Sequence, residues 1–155
     1  RRRERASRPH AWRPARVALG VAGAYVITML GLQNVAEGIV RGDLAGSGWL
    51  SNTLMVTASP ADPVRWRVYA DDGGRYWRGA VSLAPGVERR LVFDDEPIEK
   101  NADDPAAVAA AQSEQGRRFL DWARLPYYQV ERGAAATRVQ IIDARYGASV
   151  GVTVD

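Results

Sequence analysis

Asp143 and Arg145 close a run, Thr137 to Arg145, in which alternate residues share a face: Val139, Ile141, Asp143 and Arg145. If the two aliphatic side chains are buried, the two charges at the end of the run are drawn out of water with them. An isolated charge there is costly, so pairing is expected, either between Asp143 and Arg145 or with Arg124 from the end of the preceding helix. Two chemistries fit Arg124, Asp143 and Arg145: a charge network that ties helix to sheet, which is the preferred reading, and an arginine pair that binds an anion or acts in catalysis.

Two further clusters invite a chemical reading. Asp94, Asp95, Glu96, Glu99, Asp103 and Asp104 crowd one loop with oxygen ligands of the kind calcium takes. The regular spacing and the glycine of a calcium-binding loop are missing, so a solvated loop ending in a helix cap is expected instead. Trp66, Arg67, Tyr69, Tyr76, Trp77 and Arg78 bring aromatic rings and guanidinium groups onto one hairpin, a composition that can stack bases or sugars. Residues 17–155 carry a net −3, however, and Trp66 alternates with valines, so core and cross-strand packing is expected and nucleic acid is not.

Other chemistries lack their residues. There is no cysteine, which excludes disulfides and thiolate nucleophiles, and the single histidine, His10, cannot build a zinc or di-iron centre. No phosphate-cradling glycine motif and no nucleophile elbow is present. No catalytic residue, cofactor-binding residue or metal ligand is therefore assigned, and no cofactor is expected within this segment.

The elements that must position these groups follow from the pattern along the chain. Residues 1–16 hold seven arginines against Glu4 and read as a basic juxtamembrane arm, with Arg1, Arg2, Arg3 and Arg5 placed to meet anionic lipid headgroups and Trp12 at the interface level. Residues 17–41 read as an apolar helix. Val17 to Leu32 has no charge, and beyond it Leu32, Val35, Ala36, Ile39 and Val40 share one face while Gln33, Asn34, Glu37 and Arg41 take the other. A membrane span is the preferred reading over a core helix or a signal peptide. The arginine excess before the span places the arm in the cytoplasm and the rest outside.

Residues 42–52 read as a glycine-rich linker, and 53–155 as a β-rich domain. Strands are expected over Thr53–Ala58, Val64–Ala70, Tyr76–Leu83, Arg89–Phe93, Tyr127–Arg132, Thr137–Asp143 and Ser149–Val154. In the second, Val64, Trp66, Val68 and Ala70 should point inward and Arg65, Arg67 and Tyr69 outward. Asp104 as N-cap and Pro105 at the first position start a helix that bends at Gly116, carries Trp122 and Arg124 on its last turn and stops at Pro126. The expected fold is α+β: an apolar helix, then a mostly antiparallel sheet of six to seven strands with one main helix packed on it. The chain opens on Arg1 rather than methionine, as a segment of a longer protein would.

Several of these stretches carry a resemblance. Tyr25 in the apolar helix, Ala58-Ser59-Pro60 and Pro63 leading into Val64-Arg65-Trp66-Arg67-Val68, Tyr76 with Gly79, the run Phe119-Leu120-Asp121-Trp122-Ala123-Arg124-Leu125-Pro126, and Val139 to Asp143 followed by Ala144-Arg145-Tyr146 are involved. Together they resemble the C-terminal part of the inner membrane-associated metal-dependent hydrolase family, the LexA-binding, inner membrane-associated hydrolases. The resemblance implies several membrane helices followed by an extramembrane domain, with metal ligands in an N-terminal half that is not part of this sequence. It implies a divalent metal in the full-length protein, the rest of the parent membrane protein as a partner, and an inner-membrane location. On that basis the segment is expected to be an accessory domain whose active site lies elsewhere. The alternatives are a non-enzymatic membrane-anchored interaction domain and a soluble α+β binding domain.

Overall fold

The computed structural model describes residues 13–49, 53–60, 62–134, 136–147 and 151–154. Arg1, Arg2, Arg3 and Arg5, the residues expected to meet lipid headgroups, with Trp12 and His10, lie outside them, as does Ser149 at the expected start of the last strand. The fold class is as expected: a long N-terminal apolar helix followed by antiparallel sheets with short helices.

Helix α1 runs Arg13–Gly46, 34 residues without a break. It therefore extends through the first five residues of the expected linker, 42–46. Glycine at position 42 costs a helix about 1 kcal/mol, but buried Leu44 and an acceptor role for Asp43 hold this turn in place: the Leu91 N–H donates to Asp43 Oδ2 at 2.6 Å. The helix stops at Gly48, whose φ of 72° lets the Trp49 N–H reach back to the Leu44 carbonyl at 3.0 Å. Trp49 then lies edge-on against Trp77 and Phe93.

The first sheet contains β1 (Thr53–Ser59), β2 (Asp62–Asp71), β3 (Arg75–Ser82), β4 (Val92–Phe93) and β5 (Ile98–Glu99), with β4 and β5 both paired to β3. The expected strand Arg89–Phe93 shortens to its last two residues. The second sheet is β6 (Pro126–Arg132), β7 (Thr137–Asp143) and β8 (Gly151–Val154). All pairings are antiparallel. The strands thus divide five and three instead of forming one sheet. The two are joined where the Tyr128 N–H donates to the Lys100 carbonyl at 2.9 Å and the Asn101 side-chain amide donates to the Tyr128 carbonyl at 2.9 Å.

The helical segment after Asp104 is also split, into α2 (Pro105–Gln112) and α3 (Glu114–Leu120). Asp104 caps α2 as expected, accepting from the Ala106 N–H. The break falls at Ser113, before the expected bend, because its hydroxyl donates to the Ala110 carbonyl at 2.7 Å and accepts from the Gly116 N–H at 2.9 Å. Gly116 is what permits the fold-back: a Cβ there would stand 2.0 Å from the Ala110 carbonyl oxygen. Because α3 ends at Leu120, Trp122 and Arg124 follow the helix rather than occupying its last turn.

Three apolar cores stack these layers. Ala36, Val40 and Leu44 of α1 meet Val56, Trp66, Val68, Val81 and Leu83 on one face of the first sheet. Tyr69 and Tyr76, from the other face, meet Leu125, Tyr127, Ile142 and Ala144 of the second sheet's region. Tyr128, Val139 and Ile141, on the far side of that sheet, meet Ala107, Ala110 and Phe119 of α2 and α3. The expectation that Tyr69 faces solvent is overturned by the middle core, in which the second sheet covers the Tyr69 end of the outer face of β2 and leaves Arg65 and Arg67 exposed. Burying each Val or Leu of the first core contributes about 1.5–3 kcal/mol. Val35 departs from the expected apolar face and stays exposed, so the docked stripe of α1 is narrower than its sequence suggested.

Candidate functional site

Asp143 ends β7 with no solvent exposure. The turn that follows brings Arg145 back over it: Nε donates at 2.9 and 3.1 Å to the two carboxylate oxygens and Nη2 at 2.6 Å to Oδ2. The backbone N–H of Arg145 donates to Oδ1 at 3.0 Å and that of Arg124 to Oδ2 at 2.9 Å. Burial by itself pushes the Asp143 carboxyl up, but the Arg145 side chain, the two backbone N–H groups and the Arg145 charge outweigh it and hold the carboxyl below the ordinary aspartate range. Arg145 is itself raised, chiefly by its hydrogen bonds to Asp143.

The three residues singled out in the sequence are therefore brought together, but unequally. Arg124 contributes its main chain, and its side chain is exposed. Arg145 packs over the Tyr146 ring at 4.9 Å, and the Arg145 carbonyl accepts from the Tyr69 hydroxyl. Tyr146 continues into an aromatic row with Trp122 and Phe119. Nearby, the Tyr76 hydroxyl donates to the Pro126 carbonyl at 3.2 Å; burial first, then the Asp71 and Asp143 charges, push it up to about 12. With every donor at Asp143 aimed at one carboxylate, the cluster has the geometry of a clamp between β7, the segment before β6 and the first sheet.

The acidic loop does not converge on a point. Asp94 pairs with Arg78 at 3.3 Å, Glu99 with Arg75 at 2.7 Å, and Asp104 with Arg132. Among the described residues no group of three or more histidine, cysteine, aspartate or glutamate side chains could hold a metal ion. On the hairpin, Trp66, Tyr69 and Tyr76 are buried, so these rings are used for packing and are not presented for stacking.

Two features were not foreseen. Lys100 is the chain's single lysine. It donates to Asp71 Oδ1 at 2.6 Å and to the Gly73 carbonyl at 3.0 Å, and lies 4.6 Å from the centroid of the Tyr76 ring, tying the β2–β3 turn to β5. One lysine in so arginine-rich a chain was a compositional signal for it. The second is an open groove of about 630 Å³ on the face of the first sheet away from α1, running from Ser59, Pro60 and Asp62 to Tyr69, Arg78 and Asp94, with Arg65 and Arg67 between. The alternation of β2 indicated outward arginines but not the concavity that gathers them.

A smaller crevice, about 330 Å³, opens where α1 parts from the sheet, between Tyr25, Val26, Met29 and Gln33 on one side and Val56, Ala58 and Trp66 on the other. The buried Trp66 indole nitrogen has no hydrogen-bond partner among the described residues, a cost of about 1–3 kcal/mol. Before this point α1 is bare. Val17, Leu19, Val21 and Ile27 are two-thirds or more exposed, and the helix has the length and composition of a membrane anchor or signal sequence. Compared with family models, curated proteins and solved structures, the chain matches none of them.

Proposed function

We propose that this chain is a membrane-tethered accessory domain, whose apolar helix crosses the bilayer and holds a β-rich module against its surface. The observation that carries the reading is the division of α1. One helix buries Ala36, Val40 and Leu44 in a protein core and leaves Val17 to Thr28 bare, with an apolar surface too large to leave in water. A cleaved signal peptide does not fit a helix whose second half belongs to the module's own core. The module is non-catalytic in this reading: among the described residues its one fully buried carboxylate, Asp143, is closed on Arg145, and the carboxylates beside Arg75, Arg78 and Arg132 are held in ion pairs.

In the form the resemblance suggests, the module accompanies a metal-dependent hydrolase centre carried by other segments of an inner-membrane protein, and stands on the extracytoplasmic side. The arginine excess before α1 supports that orientation. Flotation of the chain with liposomes after high-salt and carbonate washes, with and without residues 1–31, tests the tether. The full chain should float and the shortened one remain soluble and folded. Equal solubility of both would overturn the reading.

A further inference from the structure

We propose that the groove containing Arg65, Arg67 and Arg78 seats the phosphate of an anionic lipid headgroup in the leaflet from which the module emerges. The inference rests on the tether reading and adds a ligand to it. Its first support is position. The crevice beside Trp66 sets Val56 to Ala58, the last residues of β1 before Ser59, alongside Tyr25 to Leu30 of α1, so this end of the first sheet lies toward the bare half of the helix. Residues 13–30 of the helix measure about 27 Å at 1.5 Å per residue, close to the roughly 30 Å hydrocarbon thickness. A bilayer that covers this stretch therefore reaches the level of that end of the sheet, where Ser59, Pro60 and Asp62 form the outer end of the groove.

The second support is charge. Residues 17–155 are net negative, yet the groove gathers three guanidinium groups against two carboxylates. Asp94 is engaged by Arg78, and Asp62 Oδ1 accepts from the Val64 N–H at 3.1 Å. Arg65 and Arg67 have no salt bridge among the described residues, and both are exposed. Guanidinium groups offer the planar, multiple donors that phosphate oxygens accept, and their long side chains reach back toward a headgroup layer. The chemistry does not extend to nucleic acid, because Tyr69 on the groove floor and Trp66 on the strand are buried and no exposed ring stands beside the arginines to stack a base.

The test uses the full chain in nanodiscs containing either phosphatidylcholine alone or a mixture with phosphatidylglycerol, and reads lipid preference by competition with a fluorescent phosphatidylglycerol. Each basic residue near the surface strengthens attraction to anionic lipid by a factor of about five. The double variant Arg65→Ala, Arg67→Ala should therefore lose preference about tenfold or more, with Arg65→Lys, Arg67→Lys recovering part of it. Its thermal unfolding should match the parent's, which separates loss of a site from loss of fold. A chain that inserts but shows no anionic preference, or one whose preference survives the double variant, overturns the lipid site and leaves the tether standing. Binding of soluble glycerol phosphate through Arg65 and Arg67 with equal strength and without a bilayer would overturn the lipid as source. A chain that fails to insert overturns both readings.

Discussion

Around Asp143, a carboxylate with no exposure is surrounded by one guanidinium and two main-chain N–H groups, while across the middle core Arg65 and Arg67 stand in solvent on the open face of β2. The first arrangement uses up its charges. A buried ion is tolerated only when its hydrogen-bonding capacity is filled by fixed donors, and here the donors come from the ends of elements that would otherwise be free to separate. The second arrangement leaves its charges available, because solvated arginines cost the fold little whether or not they are partnered. Arginine content alone therefore does not mark a binding site; what matters is whether the fold has already supplied the anion.

The largest test of this contrast is Arg145→Ala, which leaves Asp143 buried without its counter-ion and should lower stability by about 3 kcal/mol in urea unfolding, with Arg145→Lys recovering part of the loss. A change under 0.5 kcal/mol would remove the distinction between the clusters. Acid sharpens the same point. The Asp143 carboxyl lies below its ordinary value in the folded state, so its contribution is fully present above the unfolded value of about 3.9. It is lost as pH falls from there through the folded-state value. Asp143→Asn should flatten this acid limb of the stability profile, measured by thermal unfolding between neutral pH and strong acid.

The two halves of α1 offer a parallel contrast. Val40→Ala, in the docked half, should cost about 2 kcal/mol in unfolding of the detergent-solubilised chain. Val26→Ala, in the bare half, should cost less than about 0.5 kcal/mol. Equal effects would mean that the bare half is also packed in the folded protein. The smallest expected change is for Arg65→Ala and Arg67→Ala, each within about 0.5 kcal/mol of the parent; a larger loss would place these arginines among the structural ones.

Periodicity and capping were enough to find the α+β class, the β2–β3 hairpin and the cap at Asp104, and to name Arg145 as one of two candidate partners for Asp143, because each rests on residues close together in the chain. The division into two sheets was hidden, since Tyr69 satisfies an outward alternation and is buried in a cluster with Leu125, Tyr127, Ile142 and Ala144, more than fifty residues further on. The break at Ser113 was missed for a related reason. An alanine-rich run favours helix throughout, and only the contact of Gly116 with the Ala110 carbonyl shows that the chain folds back there. The groove depends on residues from β1, β2, β3 and Asp94 after β4 coming together, which alternation along one strand does not encode.

The continuity of α1 from bare stretch to docked stripe also fixes how the module explores its surroundings. A domain hung on a flexible connection sweeps a hemisphere and meets partners in all directions at a diluted effective concentration. Here no loose joint separates Leu30 from Val40, so rotation of the helix about its own long axis turns the whole module with it. With the bare half in a bilayer, as proposed, neighbours would be met at one height and one azimuth, and encounters would be governed by two-dimensional diffusion and rotation in the bilayer plane.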